Sequence, residues 1–200
     1  MKLILASTSS YRKALLSKLA IPFTCASPQV DETPLPGETP QALVQRLAIA
    51  KASAIATTCD EGFVIGSDQV ACLHGQILGK PGNHENARAQ LSAASGKTVS
   101  FFTGLCLYNA AQQDYHYLLD TFAVDFKILS AKQIERYLQL EQPYDCAGSF
   151  KSEGAGICLF SALRGRDPNS LIGLPLIGLG ELFSAFGIDL FDLMQLQQDH

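Results

Sequence analysis

The chain lacks a CxxC pair, although it contains 6 cysteines. That absence excludes zinc-ribbon and thioredoxin-like sites. Cys25, Cys59, Cys72, Cys106, Cys146 and Cys158 are scattered and mostly flanked by apolar residues, so reduced, buried thiols in a cytosolic protein are expected. No GxxxxGK[ST] occurs, which removes the P-loop, and the pairs Gly154-x-Gly156 and Gly178-x-Gly180 never extend to GxGxxG. The histidines (His74, His84, His116, His200) show no metal or triad spacing and read as surface or turn residues. No stretch approaches the length of a membrane-spanning helix, and the apolar run from Leu3 to Ala6 is too short for a signal peptide. Charge is also sparse: 17% of residues are charged and the net charge is −4. Such a balance gives no field that gathers nucleic acid polymers or anionic membranes. Any anionic ligand must then be held by a local cluster of cations. A cytoplasmic protein without nucleic acid or membrane partners is expected.

What is present is an ordinary globular composition, 47% hydrophobic over 200 residues. That length suffices for one domain, or one domain with two lobes. The organising stretch runs from Phe63 to Leu73. Its apolar residues stop at Gly66-Ser67-Asp68-Gln69 and resume at Val70. This reads as a buried strand whose polar end lies at a sheet edge. Asp68 is then either a turn former or a carboxylate that needs a partner, because an unpaired buried charge costs several kcal/mol.

Around it, Leu3–Ala6 reads as a strand leading into Ser7-Thr8-Ser9-Ser10, a cluster of N-cap candidates. Tyr11, Leu15 and Leu19 are predicted to line one face of the helix that follows. Arg12 and Lys13 fall in its first turn, where the macrodipole disfavours cations. Hydroxyls, backbone N–H groups and two cations there make a phosphate trap. Removing Arg12 is expected to leave the helix no less stable. Residues 28–40 form a proline-rich loop carrying Asp31 and Glu32. Thr39-Pro40 opens a helix to about Ala56, with Leu43, Leu47 and Ala50 inward and Lys51 late, where a cation suits the dipole. His74-Gly75 marks a tight turn, Lys80 falls at a strand end, and Asn83 caps a helix to about Ser95. Residues 97–108 and 115–128 alternate as strands. Ser130 with Gln133 is a capping box for a helix to about Leu140. A polar, glycine-rich segment (141–156) precedes an expected strand from Ile157 to Phe160. A last helix is predicted from Pro175 to about Phe186, and a partly amphipathic tail from Asp189 to His200. The pattern implies a mixed α/β sheet rather than a regular doubly wound one.

Five separated segments, in order along nearly the whole chain, resemble the Maf family of nucleoside triphosphate pyrophosphatases. They are Leu5-Ala6-Ser7-Thr8-Ser9 with Arg12-Lys13, Val30-Asp31-Glu32, Gly66-Ser67-Asp68-Gln69, Gly79-Lys80-Pro81 and Asn169-Ser170-Leu171-Ile172-Gly173-Leu174-Pro175. The resemblance implies one domain over residues 1–200, an elongated α/β fold like that of the inosine triphosphate pyrophosphatases, with flanking helices and a cleft between two lobes. It implies hydrolysis of a nucleoside triphosphate to the monophosphate and pyrophosphate with Mg²⁺ or Mn²⁺. Asp68 matches the proton acceptor, and Glu32 an acidic position near the metal. Ser7, Arg12, Lys51 and Lys80 match positions associated with the triphosphate. Lys13 stands where many members carry arginine, keeping the charge but losing the bidentate fork. Tyr11, Gln69 and Glu153 match positions that separate subfamilies by base, and Gln69 replaces the threonine typical of dTTP and UTP enzymes.

The subfamily resembled most acts on 7-methyl-GTP. An ionised Glu153 is acceptor-only and suits guanine's N–H donors, while Tyr11 offers a face to a cationic 7-methylguanine. Glu32 and Asp68 supply hard oxygen ligands, and a carboxylate beside a metal is expected to have a depressed pKa. The alternatives are a dTTP/UTP-type enzyme and a non-catalytic nucleotide-binding regulator of septum formation. Whether the chain forms a homodimer stays open.

Overall fold

The computed structural model describes residues 1–194. Strand β1 (Leu3–Ala6) leads into helix α1 (Ser10–Ser17), which starts at Ser9, whose hydroxyl accepts the Arg12 N–H at 3.3 Å. Leu15 and Leu16 are the buried residues of α1, and Leu19 lies beyond its end. Strand β2 (Thr24–Ala26) is short and largely exposed. Helix α2 (Pro40–Ala56) begins as expected, with Thr39 accepting the Ala42 N–H at 3.2 Å and proline in the first turn.

Strand β3 (Phe63–Leu73) runs unbroken for 11 residues, nearly all buried. The polar tetrad from Gly66 to Gln69 therefore lies in mid-strand, not at a strand end. β3 also sits inside the sheet, whose order is β2-β1-β3-β5-β6-β7, with β4 (Gln76–Leu78) paired to β3. β1 is parallel to β2 and to β3, whereas β4 is antiparallel to β3. The β3–β4 turn places His74 at φ 50° and Gly75 at φ 82°, the left-handed pair that a tight hairpin needs.

Helix α3 (His84–Ala94) is capped by Asn83, and β5 (Thr98–Asn109) with β6 (Asp114–Phe126) makes the long hairpin. Helix α4 (Ala131–Glu141) has both bonds of the Ser130/Gln133 capping box. The strand expected at Ile157–Phe160 is displaced. A 3₁₀ turn occupies Ala155–Leu159, and β7 (Phe160–Gly165) follows, antiparallel to β6. Helix α5 (Leu176–Ala185) and a 3₁₀ turn (Leu190–Leu193) close the described chain. The remainder of the tail expected up to His200 lies outside the described residues.

The chain divides into two units, with boundaries inside β3, β5 and β6. The first holds Met1–Gln69, Thr103–Asp120 and the chain from Gly173; the second holds Val70–Phe102 and Thr121–Ile172. The second unit packs around aromatic rings. Phe150 lies 4.8 Å from Phe160 and 5.4 Å from Phe101, both edge-on.

In the first unit α2 packs through small residues. Ala48, Ala52 and Ala56 are buried with Ile4, Val64 and Cys106. The helix backbone lies directly over two strand glycines. A Cβ on Gly66 would stand 2.1 Å from the Ala48 carbonyl oxygen, and one on Gly104 would stand 2.4 Å from that of Val44. Neither distance is sterically allowed, so glycine is required at both positions. Among the described residues no helix is long and apolar enough to cross a membrane.

Candidate active site

Alternation along β3 explains where Asp68 points. Residues two apart on a strand share a face, and Gly66 faces α2, so Asp68 faces α2 as well. There it meets Lys51, which is 5% exposed against 7% for Asp68. Lys51 Nζ donates to Asp68 Oδ1 at 2.7 Å. The same nitrogen lies 2.9 Å from Glu32 Oε1. Lys51 is thus an inward residue of α2 serving two carboxylates, and its place in the helix is not explained by the dipole.

Glu32 arrives on the loop between β2 and α2. That loop is held by Arg46, which donates twice to Glu38, at 2.7 and 2.8 Å, and once to the Thr33 carbonyl at 3.1 Å. Glu38 also accepts the Leu35 N–H at 3.0 Å, and Asp31 accepts the Thr33 N–H at 2.9 Å. The fork holds the Glu38 carboxyl far below the ordinary range, at about 2.

The opposite face of β3 carries Ser67, which is buried and donates to the Gly173 carbonyl at 2.9 Å. Arg12 Nε donates to the same oxygen at 2.9 Å. Arg12 is therefore tied into the fold, contrary to the expectation of a cation on a helix end that could be removed at no structural cost. Gln69 donates to Thr103 Oγ1 at 3.0 Å on neighbouring β5. Ser7 is buried, and its hydroxyl accepts the Ser9 N–H at 3.1 Å. Tyr11 is half-buried and Lys13 exposed.

Electrostatically the cluster is tense. Burial pushes the Asp68 carboxyl up, Lys51 and Arg12 pull it back, and Glu32 adds to the rise; the net direction is upward. Burial likewise lowers the Arg12 guanidinium, against the fields of Asp68 and Glu32. Among the described residues no three His, Cys, Asp or Glu side chains form a ready metal cage. Two carboxylates converging on one cation do suit a hard divalent ion that takes its remaining ligands from phosphate and water.

The first unit thus brings together Asp68, Lys51 and Glu32 by direct bonds and Arg12 by its field. Lys80 and Glu153 belong to the second unit. The Lys80 loop is held by Gln90, which donates to the Gly79 carbonyl at 3.1 Å, and by Asn86, which donates to that of Pro81 at 2.9 Å. Lys80 itself is exposed. Glu153 is exposed beside Ser152, whose hydroxyl donates to it at 3.3 Å. Its loop is anchored by Glu141, which accepts the Ala155 N–H at 2.7 Å, and by Tyr137, whose hydroxyl accepts the Lys151 N–H at 2.9 Å.

Sequence reading assigned no role to Ser67, Gly173, Arg46 or Glu38. The first two stand inside the motifs quoted above, which was their signal; the Arg46–Glu38 fork left none. His84 is more than a surface residue, since it bridges Glu135 at 3.0 Å and Tyr144 at 3.1 Å. His116 packs its ring 4.4 Å from that of Phe186.

A strand-borne carboxylate, a loop-borne carboxylate and two cations define a charged, partly buried centre in a mixed α/β protein. The chain belongs to the Maf-like protein family, whose model matches residues 2–186. It is 62% identical to the 7-methyl-GTP pyrophosphatase of Pseudoalteromonas atlantica, over 98% of this chain and 100% of that protein. It is 56% identical to the protein of that name from Colwellia psychrerythraea, over 94% of each. The corresponding Nitrosococcus oceani protein is 54% identical over 92% of this chain and 93% of its own length. A looser likeness, with TM-score 0.45 and 14% identity over 63% of this chain and 72% of the other, is to the Staphylococcus aureus Ham1 protein.

Proposed function

We propose that this chain hydrolyses 7-methyl-GTP to 7-methyl-GMP and pyrophosphate. The observation that carries the reading is the buried Asp68 carboxylate paired to Lys51 in the field of Arg12. Its high identity to three proteins named for that reaction supports the substrate.

In this reading Asp68 orients a water and takes its proton as the water oxygen attacks the α-phosphorus. The bond from that phosphorus to the bridging oxygen breaks, and pyrophosphate leaves with the bonding pair. Arg12, Lys51, Lys13 and Lys80, with the Ser7 hydroxyl as a donor, hold the phosphates and the charge growing on the leaving group. Glu32 and Asp68 would hold a divalent cation, Mg²⁺ or Mn²⁺, which supplies charge neutralisation at the phosphates. Tyr11, Gln69 and Glu153 select the base. The roles of Lys80 and Glu153 rest on the matching motif positions alone. All six cysteines are free thiols, which suits a cytoplasmic setting, although only Cys72 and Cys106 are buried, contrary to the expectation of buried thiols.

The test is a panel of 7-methyl-GTP, GTP, dTTP and UTP with Mg²⁺ or Mn²⁺, following pyrophosphate and orthophosphate separately. Pyrophosphate release with the highest kcat/KM for 7-methyl-GTP is expected. Preference for UTP or dTTP would overturn the base assignment, and absence of turnover would leave a nucleotide-binding regulator.

A further inference from the structure

The position between the two acidic side chains is filled by a cation of the chain's own. Lys51 Nζ lies 2.7 Å from Asp68 Oδ1 and 2.9 Å from Glu32 Oε1. Lys51 and Asp68 are sealed into the packing of α2 on β3, whereas the Glu32 side chain is 59% exposed. The cluster is therefore closed on the sheet side and open on the loop side.

An ammonium group and a hard divalent ion seek the same ionised oxygens. A magnesium ion needs such oxygens at about 2.1 Å, so it competes with Lys51 Nζ for Asp68 Oδ1 and Glu32 Oε1, the two oxygens the ammonium already holds. The two cations also repel each other strongly at such distances in a medium of reduced polarity. Lysine, a point charge on a four-carbon stem, can swing to new anionic acceptors without losing a planar fork. Arginine at 51 would lack that freedom.

We propose that Lys51 is a resident counter-ion that excludes divalent metal from the Asp68–Glu32 pair until a triphosphate draws its ammonium away. The inference rests on the pyrophosphatase reading and adds an order to it. Metal and nucleotide enter together, and the protein alone holds metal poorly. Arg12 also lies in the field of both carboxylates, so the pair keeps a cation nearby if Lys51 swings.

The experiment is a titration of nucleotide-free protein with Mn²⁺, with free ion read by electron paramagnetic resonance, on the wild type, Lys51→Met and Lys51→Gln. Loss of the competing charge should tighten Mn²⁺ binding by at least about tenfold in whichever variant folds. Binding equal to or weaker than wild type in a folded variant would overturn the proposal. An independent arm uses wild-type protein alone, following the ¹⁵N signal of the Lys51 ammonium during a Mg²⁺ titration without nucleotide. The signal should hold its position through millimolar Mg²⁺; movement at or below millimolar Mg²⁺ would overturn the proposal even if neither variant folds. Pyrophosphate release from 7-methyl-GTP is measured on the same wild-type preparation. Its failure would remove the enzymatic reading while leaving the metal comparison intact.

Discussion

Arg12 Nε–H and Ser67 Oγ–H both donate to the carbonyl oxygen of Gly173, each at 2.9 Å. One backbone oxygen thereby joins α1, β3 and the turn before α5. An arginine committed in this way has a structural role as well as a charge. Arg12→Ala should raise KM and lower kcat together, and should also cost about 1–3 kcal/mol of stability through the lost charged hydrogen bond. Steady-state kinetics and urea unfolding on the same preparation check both halves. Arg12→Lys should not restore stability, because an ammonium cannot reproduce the Nε geometry.

Asp68→Asn keeps the shape and an acceptor for Lys51 while removing the charge. Turnover should fall at least about 100-fold, the scale of a lost general base. The melting temperature should stay within about 4 °C of the parent, because asparagine escapes the desolvation that burdens Asp68 and Lys51 retains Glu32. Near-normal hydrolysis by a folded Asp68→Asn protein would end the assignment.

If Glu153 accepts the N–H donors of guanine, Glu153→Gln puts an amide N–H₂ there and removes the anion that favours a cationic 7-methylguanine. Selectivity for 7-methyl-GTP over UTP should drop about 10- to 100-fold through the lost hydrogen bonds, and selectivity over GTP, which keeps the same donors, should fall only through the lost anion. Tyr11→Ala should shift the same ratios by less, through about 0.5–2 kcal/mol of lost cation–π attraction. The readout is kcat/KM across the four triphosphates; unmoved ratios would sink the role of both residues.

Glu38 makes the acid limb of stability readable. Its carboxyl is held at about 2, against an ordinary 4.5, first by the Arg46 fork and then by the Leu35 N–H. A depressed carboxyl stabilises the folded state fully above the unfolded value and loses that contribution as pH falls through the folded one. Wild type should therefore exceed Glu38→Gln in stability at pH 7, and the two should converge between about pH 4.5 and 2. Parallel curves across that range would show the fork to be energetically idle.

Gly66→Ala tests the close approach of α2. The added carbon meets backbone atoms of Ala48 and Ala52, so the helix must shift. Displacing α2 moves Lys51 away from Asp68, and activity should fall at least about tenfold with a stability loss of about 1–3 kcal/mol. Unchanged kinetics in the variant would show that the site tolerates a displaced Lys51.

Local chemistry was legible where short-range rules govern. Thr39-Pro40, the Ser130/Gln133 box and the His74-Gly75 turn each have their physical cause within four residues of chain, and the structure follows them. Asp68 was legible as chemistry but not as position. Its polar neighbours looked like a strand end because their partners, Lys51, Thr103 and Gly173, are supplied by distant chain. The dipole account of Lys51 failed for the same reason: helix periodicity gives its face but not the carboxylate waiting there. β2 is too short and exposed to alternate, and the 3₁₀ turn at Ala155–Leu159 hides inside an apolar run that resembles a strand.

The Arg46–Glu38 fork has a meaning beyond stability. Asp68 is built into the sheet, but Glu32 is delivered by a loop that the fork shortens to a clamped tether. The concentration of the Glu32 carboxylate experienced by Lys51 is thus a property of the tether, not of the site. Loosening the fork turns a fixed neighbour into an intermittent visitor without touching any group that meets a phosphate. Substitutions along the loop can in this way retune how firmly the centre is closed, leaving the chemistry of its strand unaltered.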